Sequence, residues 1–413
     1  MTTEAPTDRL SAERVADLAL ELLAVDTQNP PGDTRALADH VDSFLVDLGL
    51  DTERVAVDPA KPNVLATIPG ASDRTLCYNG HLDTVPYDAS EWTHDPLGER
   101  DGDRIYGRGA TDMKGPLAAM LHTAETVVGA DEEPPVTLTF AFVSDEETGG
   151  AAGVRALLDR EALDADACVI GETTCGGGNH SVTVADRGSI WLTLGARGEP
   201  AHGSRPVLGE NAIDRLWNAV TAIRTRLPAR ELAGPPEMTA IVEESVAYYE
   251  PTMGAETARD LFTSPTVNLG TLEGGESVNT VPGSATARLD IRLTAGVETP
   301  TVLADIRECL ADYPAVTIED TSWSVGTYEP PDSPLVESVA STAEAVTGER
   351  VYRRSATGGG DAKKFREAGI PTVEFALGTD TVHAVDEYTT LDALLGNARV
   401  YTRLPAVWAA EST

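Results

Sequence analysis

The sequence predicts an α/β protein: a three-layer sandwich with a mostly parallel sheet, interrupted by an inserted α+β domain. Apolar runs at 136–143 and 167–170 have the composition of buried parallel strands. Amphipathic helical patterns separate such runs, which is the order expected of a parallel sheet covered by helices. Near residue 187 the pattern changes to alternating strands, as in an antiparallel sheet with one buried face.

These changes of pattern set the expected domain boundaries. We expect a discontinuous catalytic domain of residues 1–186 and 327–413. Residues 187–326 would form the inserted domain. The first pattern resumes near Pro334, after a proline-rich return linker.

Strand and helix signals follow this plan along the chain. Ser11 can cap the first helix, because its hydroxyl can accept a hydrogen bond from a free amide of the first turn. Strands are predicted at 52–57, 63–68, 75–79, 136–143, 167–170, 189–195, 266–272, 285–293, 316–321 and 372–377. Helices are predicted at about 34–48, 117–128, 151–158, 211–227, 300–310, 334–346 and 391–404. Two stretches, 87–103 and 228–265, are predicted to be loops.

The chain is strongly acidic, with 31 Lys and Arg against 67 Asp and Glu and a formal net charge of −36. Such a surface repels nucleic acid and anionic membranes, so we expect neither as a partner. Most of the basic residues are arginines. This acid-rich, lysine-poor composition resembles that of halophilic proteins, whose self-repulsion is screened by salt. The alternative is an ordinary acidic protein.

The termini and cysteines favour a cytoplasmic protein. Residues 1–5 lack the basic and apolar regions of a signal peptide. The sequence has no apolar run of about 18 residues or more, the length a membrane-spanning helix needs. None of the 4 cysteines forms a Cys-x-x-Cys pair, so we expect reduced thiols.

Groups that can bind metal ions recur at the ends of predicted strands. Ligands of parallel sheets bind at the carboxyl ends of the strands. The stretch 144–149 follows such a strand and contains two consecutive carboxylates. The residues at strand ends or in glycine-bounded loops are His81, Asp83, Asp112, Glu146, Glu147, Glu172 and His383.

Imidazole and carboxylate donors without thiolates suit zinc, or cobalt or manganese in its place. One carboxylate between two half-sites could bridge two ions roughly 3.5–4 Å apart. Metal binding lowers the pKa of water from roughly 15.7 to about 7. A neighbouring carboxylate that is not a ligand could then take up the water's proton and deliver it to a leaving amine.

Each of these residues alone also fits a structural role. The stretch 144–149 could be a solvated acidic turn, and Asp112 could stabilise an Asx-turn. A single histidine at a strand end is often structural. The run 358–360 could be a simple turn, and it lacks the lysine and hydroxyl that follow a phosphate-binding loop.

The ordered set as a whole resembles the dinuclear-zinc aminoacylase and carboxypeptidase family, over essentially the whole chain. The motifs that carry the resemblance are Gly80-His81-Leu82-Asp83-Thr84-Val85-Pro86, Gly107-Arg108-Gly109-Ala110-Thr111-Asp112-Met113-Lys114-Gly115, Asp145-Glu146-Glu147-Thr148-Gly149, Gly171-Glu172, Pro200-Ala201-His202-Gly203-Ser204-Arg205-Pro206, Asn279-Thr280-Val281-Pro282 and His383.

The resemblance implies a ligand set for two ions. His81 and Glu172 would share one ion, Glu147 and His383 the other, and Asp112 would bridge them. Asp83 would orient the His81 imidazole, and Glu146 would be the general base and acid. The resemblance also implies a cis peptide bond between Asp112 and Met113.

The inserted domain resembles the family's lid and dimerisation domain, so the resemblance implies a homodimer. His202 would reach the partner subunit's site and stabilise the oxyanion. Asn279, Arg292 and the backbone of Gly358, Gly359 and Gly360 would hold a substrate carboxylate. Two alternatives remain open: His202 as a structural turn residue and Arg292 as a surface strand residue.

The resemblance implies a metal-dependent hydrolase that cleaves the amide bond of an N-acyl amino acid. Residues 110–120 are nearest to the desuccinylase and deacetylase branch, which points to amino-acid biosynthesis. One alternative is a dipeptidase or carboxypeptidase with the same dinuclear site. Another is a catalytically inactive binding module, which should have lost ligands.

Overall fold

The computed structural model describes residues 6–230 and 234–411. The chain divides into two units, each with its own sheet. The first unit comprises Met1–Val184, Glu329–Arg354 and Gly360–Thr413. The second comprises Ala185–Tyr328 and Ser355–Gly359. The boundaries predicted from the sequence, at 187 and 326, remain a prediction.

The strands and helices of the described residues follow in chain order. The strands are β1 (Thr52–Val55), β2 (Asn63–Ile68), β3 (Thr75–His81), β4 (Glu99–Asp101), β5 (Arg104–Tyr106), β6 (Thr137–Val143), β7 (Ala167–Ile170), β8 (His180–Ala185), β9 (Gly188–Arg197), β10 (Thr266–Gly274), β11 (Ser284–Leu293), β12 (Val316–Ser324), β13 (Val351–Ser355), β14 (Thr372–Glu374) and β15 (Tyr388–Thr390). The helices are α1 (Ala12–Leu23), α2 (Arg35–Asp47), α3 (Lys114–Val128), α4 (Val154–Asp159), α5 (Ala212–Arg226), α6 (Pro236–Met253), α7 (Ala255–Thr263), α8 (Thr299–Ala311), α9 (Pro334–Thr347), α10 (Asp361–Glu367) and α11 (Leu391–Glu411).

The first unit is built on an eight-stranded sheet with the order β1-β2-β6-β3-β7-β14-β8-β13. Its four central strands, β6, β3, β7 and β14, run parallel to their neighbours in this group. Their carboxyl ends therefore lie at one edge of the sheet. A separate three-stranded sheet has the order β15-β5-β4.

Helices cover both faces of the large sheet. Side chains alternate between the faces of a strand, and β3 shows both environments. Tyr78 packs against Tyr401 of α11, with ring centroids 5.3 Å apart. The adjacent Cys77 lies in a buried cluster with Leu157 of α4 and Phe365 of α10. The predicted three-layer α/β sandwich is therefore confirmed.

The second unit contains a four-stranded antiparallel sheet with the order β10-β11-β9-β12. Along β9, Ile190, Leu192 and Leu194 are buried, while Trp191 points to the exposed face. The buried residues form one core with apolar residues of α5 and α8. The predicted α+β architecture of this part is confirmed.

The prediction that 228–265 forms a loop was wrong, because α6 and α7 lie there. Pro236 occupies the start of α6, where the missing amide hydrogen costs no helical hydrogen bond. Met238, Ile241 and Val242 are buried at helical spacing. The proline and glycine content of the segment is typical of a loop and conceals this periodicity.

Two strands of the large sheet, β8 and β13, were also missed, and β4 forms within the predicted loop 87–103. Strand β13, which pairs with β8 at the edge of the large sheet, contains two consecutive arginines, Arg353 and Arg354. Charged residues of this kind hide the alternation that marks a strand. Within residues 6–230 and 234–411, no helix combines the length and the apolar character needed to cross a membrane.

The side chain of Asn397 attaches α11 to the segment that follows β14. Its Oδ1 accepts a hydrogen bond from the Leu377 amide at 2.6 Å, and its Nδ2 donates to the Leu377 carbonyl at 2.9 Å. Asn397 is fully buried. An Asn397→Ala variant would leave a buried amide and carbonyl without partners, so we expect a loss of about 2–4 kcal/mol in the free energy of unfolding.

Urea denaturation followed by tryptophan fluorescence measures this loss. Arg399→Ala is the matched control, because Arg399 lies on the same helix and is exposed. Its free energy of unfolding should change by less than about 0.5 kcal/mol. Equal stabilities for the two variants would contradict the role given to Asn397.

Candidate metal centre

The carboxyl ends of the parallel strands bring distant residues together. His81 is the last residue of β3 and pairs in register with Val143, the last residue of β6. Glu146 and Glu147 lie in the turn after β6, beyond Ser144 and Asp145, and Glu172 lies just after β7. Because these strands are parallel neighbours, the side chains after them meet at one edge of the sheet.

The Asp112 carboxylate lies between two imidazoles. Its Oδ1 is 3.1 Å from His81 Nε2, and its Oδ2 is 3.1 Å from His383 Nε2. Glu172 Oε1 lies 3.3 Å from His81 Nε2. Glu147 Oε1 lies 3.4 Å from His383 Nε2. The five residues predicted as metal ligands therefore form two groups that share Asp112.

The orientation of the His81 ring suits a metal ligand. The ring nitrogen Nδ1 lies 2.8 Å from the backbone carbonyl oxygen of Asp83 and donates to it. In a neutral imidazole, Nε2 then carries the lone pair. That lone pair faces the carboxylates of Asp112 and Glu172, which can accept a proton or bind a cation but cannot donate a hydrogen bond when ionised.

Asp83 supports the loop that carries the two glutamates. Its carboxylate accepts hydrogen bonds from the Glu146 amide at 3.1 Å and the Glu147 amide at 3.2 Å. It also accepts one from Asn29 Nδ2 at 2.8 Å. Its Oδ1 is 3.8 Å from His81 Nδ1, so it is the Asp83 carbonyl that binds the imidazole directly.

Crowded carboxylates shift the ionisation of the cluster. Burial opposes charge on His81, but Glu172 and Asp112 outweigh it and raise its pKa well above the ordinary value. The neighbouring carboxylates of Asp112 and Glu147 raise the pKa of His383 to about 10. Burial, with Asp112 nearby, raises the pKa of Glu172 to about 8. The cluster thus attracts positive charge strongly.

The two glutamates after β6 differ in their surroundings. Burial, reinforced by Asp361, raises the pKa of Glu146 well above its ordinary value. Glu147 Oε1 is buried and accepts no hydrogen bond from any residue of the described part of the chain, although it lies 3.4 Å from His383 Nε2. A buried carboxylate oxygen without a donor is a costly arrangement, which a bound cation would relieve. The donor set, imidazoles and carboxylates without thiolates, also fits a divalent metal.

Three residues that support the site were not predicted. Asn29 bonds Asp83 and also donates to Thr148 Oγ1 at 3.0 Å. Lys61 pairs with Asp145, and despite burial this contact helps lower the pKa of that carboxyl to about 2. Glu387 accepts hydrogen bonds from the backbone beside Asp112. Their positions carry no strand-end signal, so only the fold could place them.

The predicted residues of the second unit have partners within it. His202 is exposed, and its Nδ1 lies 2.8 Å from Ser204 Oγ. Asn279 accepts a short hydrogen bond from Ser277. The Arg292 guanidinium forms two contacts with Asp290, at 2.7 and 3.0 Å. The roles predicted for His202 in stabilising the oxyanion, and for Asn279 and Arg292 in binding a substrate carboxylate, therefore stay predictions.

The glycine run 358–360 lies where the two units join in sequence. The Gly358 carbonyl accepts a hydrogen bond from the Arg187 amide at 3.0 Å. A side chain at Gly360 would have its Cβ 3.3 Å from Glu146 Oε1. The absence of a side chain at 360 therefore keeps space beside Glu146, while the predicted substrate contacts of Gly358, Gly359 and Gly360 stay a prediction.

The peptide bond between Asp112 and Met113 is cis, as expected from the sequence. The amide of His81 contacts the Met113 sulfur at 3.2 Å. Met113 is fully buried, and a Cβ at Gly80 would lie 2.6 Å from its methyl carbon. The segment after Asp112 is thus packed closely against the end of β3.

This chain is similar to known proteins over most of its length. The family model described as peptidase family M20/M25/M40 matches residues 77–406. A succinyl-diaminopimelate desuccinylase from Rhodospirillum centenum is 31% identical over 389 residues, covering 92% of this chain and 93% of that protein. A second, from Sphingopyxis alaskensis, is 30% identical over 396 residues, covering 93% and 96%.

Solved structures share the fold. An M20 family metallo-carboxypeptidase, Sso-CP2 from Sulfolobus solfataricus, aligns with a TM-score of 0.79 and 20% identity, covering 96% of this chain and 99% of that one. The YxeP protein of Bacillus subtilis, described as a dinuclear metal-binding peptidase, aligns with a TM-score of 0.63 and 15% identity, covering 96% and 98%.

The predicted resemblance is confirmed, and with it the class of reaction. The match to the family model and the relatives at about 30% identity identify a metal-dependent amide hydrolase. The candidate metal donors described above lie within the matched region. The chain belongs to peptidase family M20/M25/M40.

Proposed function

We propose that this chain hydrolyses the amide bond of an N-acyl amino acid at a centre of two divalent cations. The observation that carries this proposal is the Asp112 carboxylate, whose two oxygens each lie 3.1 Å from a different imidazole. A carboxylate in that position suits a bridge between two ions. His81 and Glu172 would complete one half-site, and His383 and Glu147 the other.

Zinc is the proposed metal, with cobalt or manganese as possible replacements. Both half-sites offer one imidazole and carboxylate oxygens, a donor set that these ions accept. Bound there, two cations would lower the pKa of a water molecule and polarise the amide carbonyl. The protein's contribution is to hold the donors at fixed distances and to provide a group that moves protons.

Glu146 is proposed to be that group. Its amide is fixed by Asp83, and its carboxyl oxygen lies in a group with donors of His81 and Glu172 whose atoms are within 4.8 Å of one another. Burial, and after it Asp361, raises the pKa of Glu146 above that of an ordinary glutamate, so this carboxyl takes up a proton more readily. In this role Glu146 would pass the proton to the leaving amine.

The substrate is proposed to be an N-succinyl or N-acetyl amino acid used in amino-acid biosynthesis. Relatives named succinyl-diaminopimelate desuccinylase, about 30% identical over most of the chain, support this choice. A dipeptidase or carboxypeptidase activity is the second candidate, because the same centre could act on any linear amide. The two candidates differ in the groups on either side of the bond.

The second unit is proposed to act as a lid and to form a homodimer. Several of its apolar side chains are exposed, among them Val207, Leu208 and Val278. Exposed apolar residues of this kind are common at protein interfaces. In a dimer, His202 would stabilise the oxyanion in the partner subunit's site, and Asn279 and Arg292 would hold the substrate carboxylate. The contacts of Arg292 with Asp290 mean that a substrate carboxylate would have to share this guanidinium.

A cytoplasmic, salt-adapted protein is also proposed. All four cysteines are free thiols, which suits a reducing compartment. The net charge of −36 creates repulsion between surface carboxylates. Salt shortens the range of that repulsion from about 10 Å at 0.1 M to about 3 Å at 1 M.

A panel of substrates tests the proposed activity. The purified protein should hydrolyse N-succinyl-diaminopimelate or N-acetylornithine with a kcat/KM at least about tenfold above that for simple dipeptides. Chelation should abolish the activity, and added zinc, cobalt or manganese should restore it, because the carboxylates and imidazoles hold the ions. Faster hydrolysis of dipeptides would favour the second candidate, and full activity without metal would refute both.

A Glu146→Gln variant tests the proton-transfer group. We expect kcat to fall by about 10²–10⁴-fold, because the amide cannot carry the proton. The bound metal, measured by elemental analysis, should stay at the parent level. Glu132→Gln is the control, since Glu132 is an exposed glutamate elsewhere. An unchanged kcat for Glu146→Gln would show that another group carries the proton.

Thermal unfolding at different salt concentrations tests the proposed adaptation. Raising KCl from 0.1 M to about 2 M should increase the Tm by about 5 °C or more, because screening weakens the repulsion within the folded chain. Sucrose at matched osmolality should have a smaller effect. A Tm that stays constant or falls with KCl would identify an ordinary acidic protein.

A further inference from the structure

A buried ion pair lies beside the proposed metal centre. Arg108 Nη1 is 2.6 Å from Glu387 Oε2, and the two residues are only 4% and 0% exposed. The ring of Trp92 covers the guanidinium, with its centroid 5.3 Å away. Transferring two charges from water into the interior is costly, and such pairs add little net stability. The position of this pair therefore suggests a role other than stability.

Each member of the pair binds the backbone of a loop that carries a proposed ligand. Glu387 Oε1 accepts hydrogen bonds from the amides of Thr111 and Asp112, at 2.9 and 3.0 Å. Arg108 Nη2 donates to the carbonyl oxygen of His383 at 3.3 Å. The ion pair thus connects the loop of the bridging carboxylate to the loop of the second imidazole.

The two imidazoles differ in how much they need such a connection. His81 ends a central strand, is 2% exposed, and donates to the carbonyl of Asp83. His383 lies in a loop, its side chain is 49% exposed, and its φ of 61° is in the left-handed region. A residue in this setting is held in place mainly by contacts from its surroundings.

We propose that Arg108 and Glu387 are positioning residues that fix His383 relative to Asp112 and so set the affinity of the half-site formed with Glu147. This inference rests on the ligands assigned under the proposed function. The other half-site depends less on the pair, because His81 and Glu172 lie at the ends of β3 and β7 and only the shared Asp112 is bound by Glu387. Loss of the pair should therefore weaken one ion more than the other.

Titration of the metal-free protein with Co²⁺ tests this inference. The parent protein should bind two Co²⁺ ions, followed by calorimetry and by visible absorption. Arg108→Lys keeps a cation near Glu387 but removes the second guanidinium donor to the His383 carbonyl. We expect one Co²⁺ to bind with the parent Kd and the second to bind about 10–100-fold more weakly.

Glu387→Gln provides an independent variant of nearly the same volume. Its amide cannot accept from Arg108 and from both backbone amides in the parent arrangement, so the second Co²⁺ should again bind more weakly. Circular dichroism and urea denaturation establish that each variant folds. If Glu387→Gln does not fold, the Co²⁺ affinities of Arg108→Lys decide the question. The control is Glu125→Gln, which removes the negative charge from the ion pair of Glu125 with Arg14, 3.0 Å apart, near the C-terminal end of α3. It should bind both ions as the parent does.

The outcomes separate this inference from the proposed function. Folded variants that bind two Co²⁺ ions with the parent Kd values would overturn the positioning role. So would an equal loss of affinity for both ions, which would indicate a general structural role for the pair. A parent protein that binds fewer than two Co²⁺ ions would overturn the ligand assignment itself, and the positioning role with it.

Discussion

The contact on which the rest of the site depends is the Asp112 carboxylate placed between two imidazoles. Around it the fold gathers further carboxylates, those of Glu146, Glu147 and Glu172. Two like charges about 4 Å apart repel each other by roughly 4 kcal/mol at an effective dielectric constant of about 20. A cluster of this kind is stable only when protons or cations lie between the carboxylates. The raised pKa values of His81 and His383 reflect this, because the carboxylates favour the protonated imidazoles.

The fold meets the repulsion with a rigid frame. The parallel strands β3, β6 and β7 end side by side. Their main-chain hydrogen bonds fix the backbone positions from which the side chains of His81, Glu147 and Glu172 extend. A second set of groups then holds the loops. Asp83 binds the amides after β6, and Glu387 binds the amide of Asp112. The proposed ligands are thus positioned by backbone contacts rather than by flexible surface side chains.

The sequence predicted the parts of this arrangement that have a local signal. The strand 136–143 and the acidic site residues after it could be predicted, because the apolar strand composition and the acidic residues are adjacent in the sequence. Asn29, Lys61 and Glu387 act across 54, 84 and 275 residues of chain, so no window of sequence contains both partners. Helix α6 was missed because prolines at its start and inside it, and a glycine after its last residue, are typical of a loop and conceal its apolar periodicity.

The central claim is that Asp112 bridges two cations, one held with His81 and one with His383. Anomalous diffraction from crystals of the Co²⁺-loaded protein measures this most directly. The account predicts two anomalous peaks roughly 3.5–4 Å apart, one beside each oxygen of the Asp112 carboxylate. A single peak, or two peaks that do not contact Asp112, would contradict it.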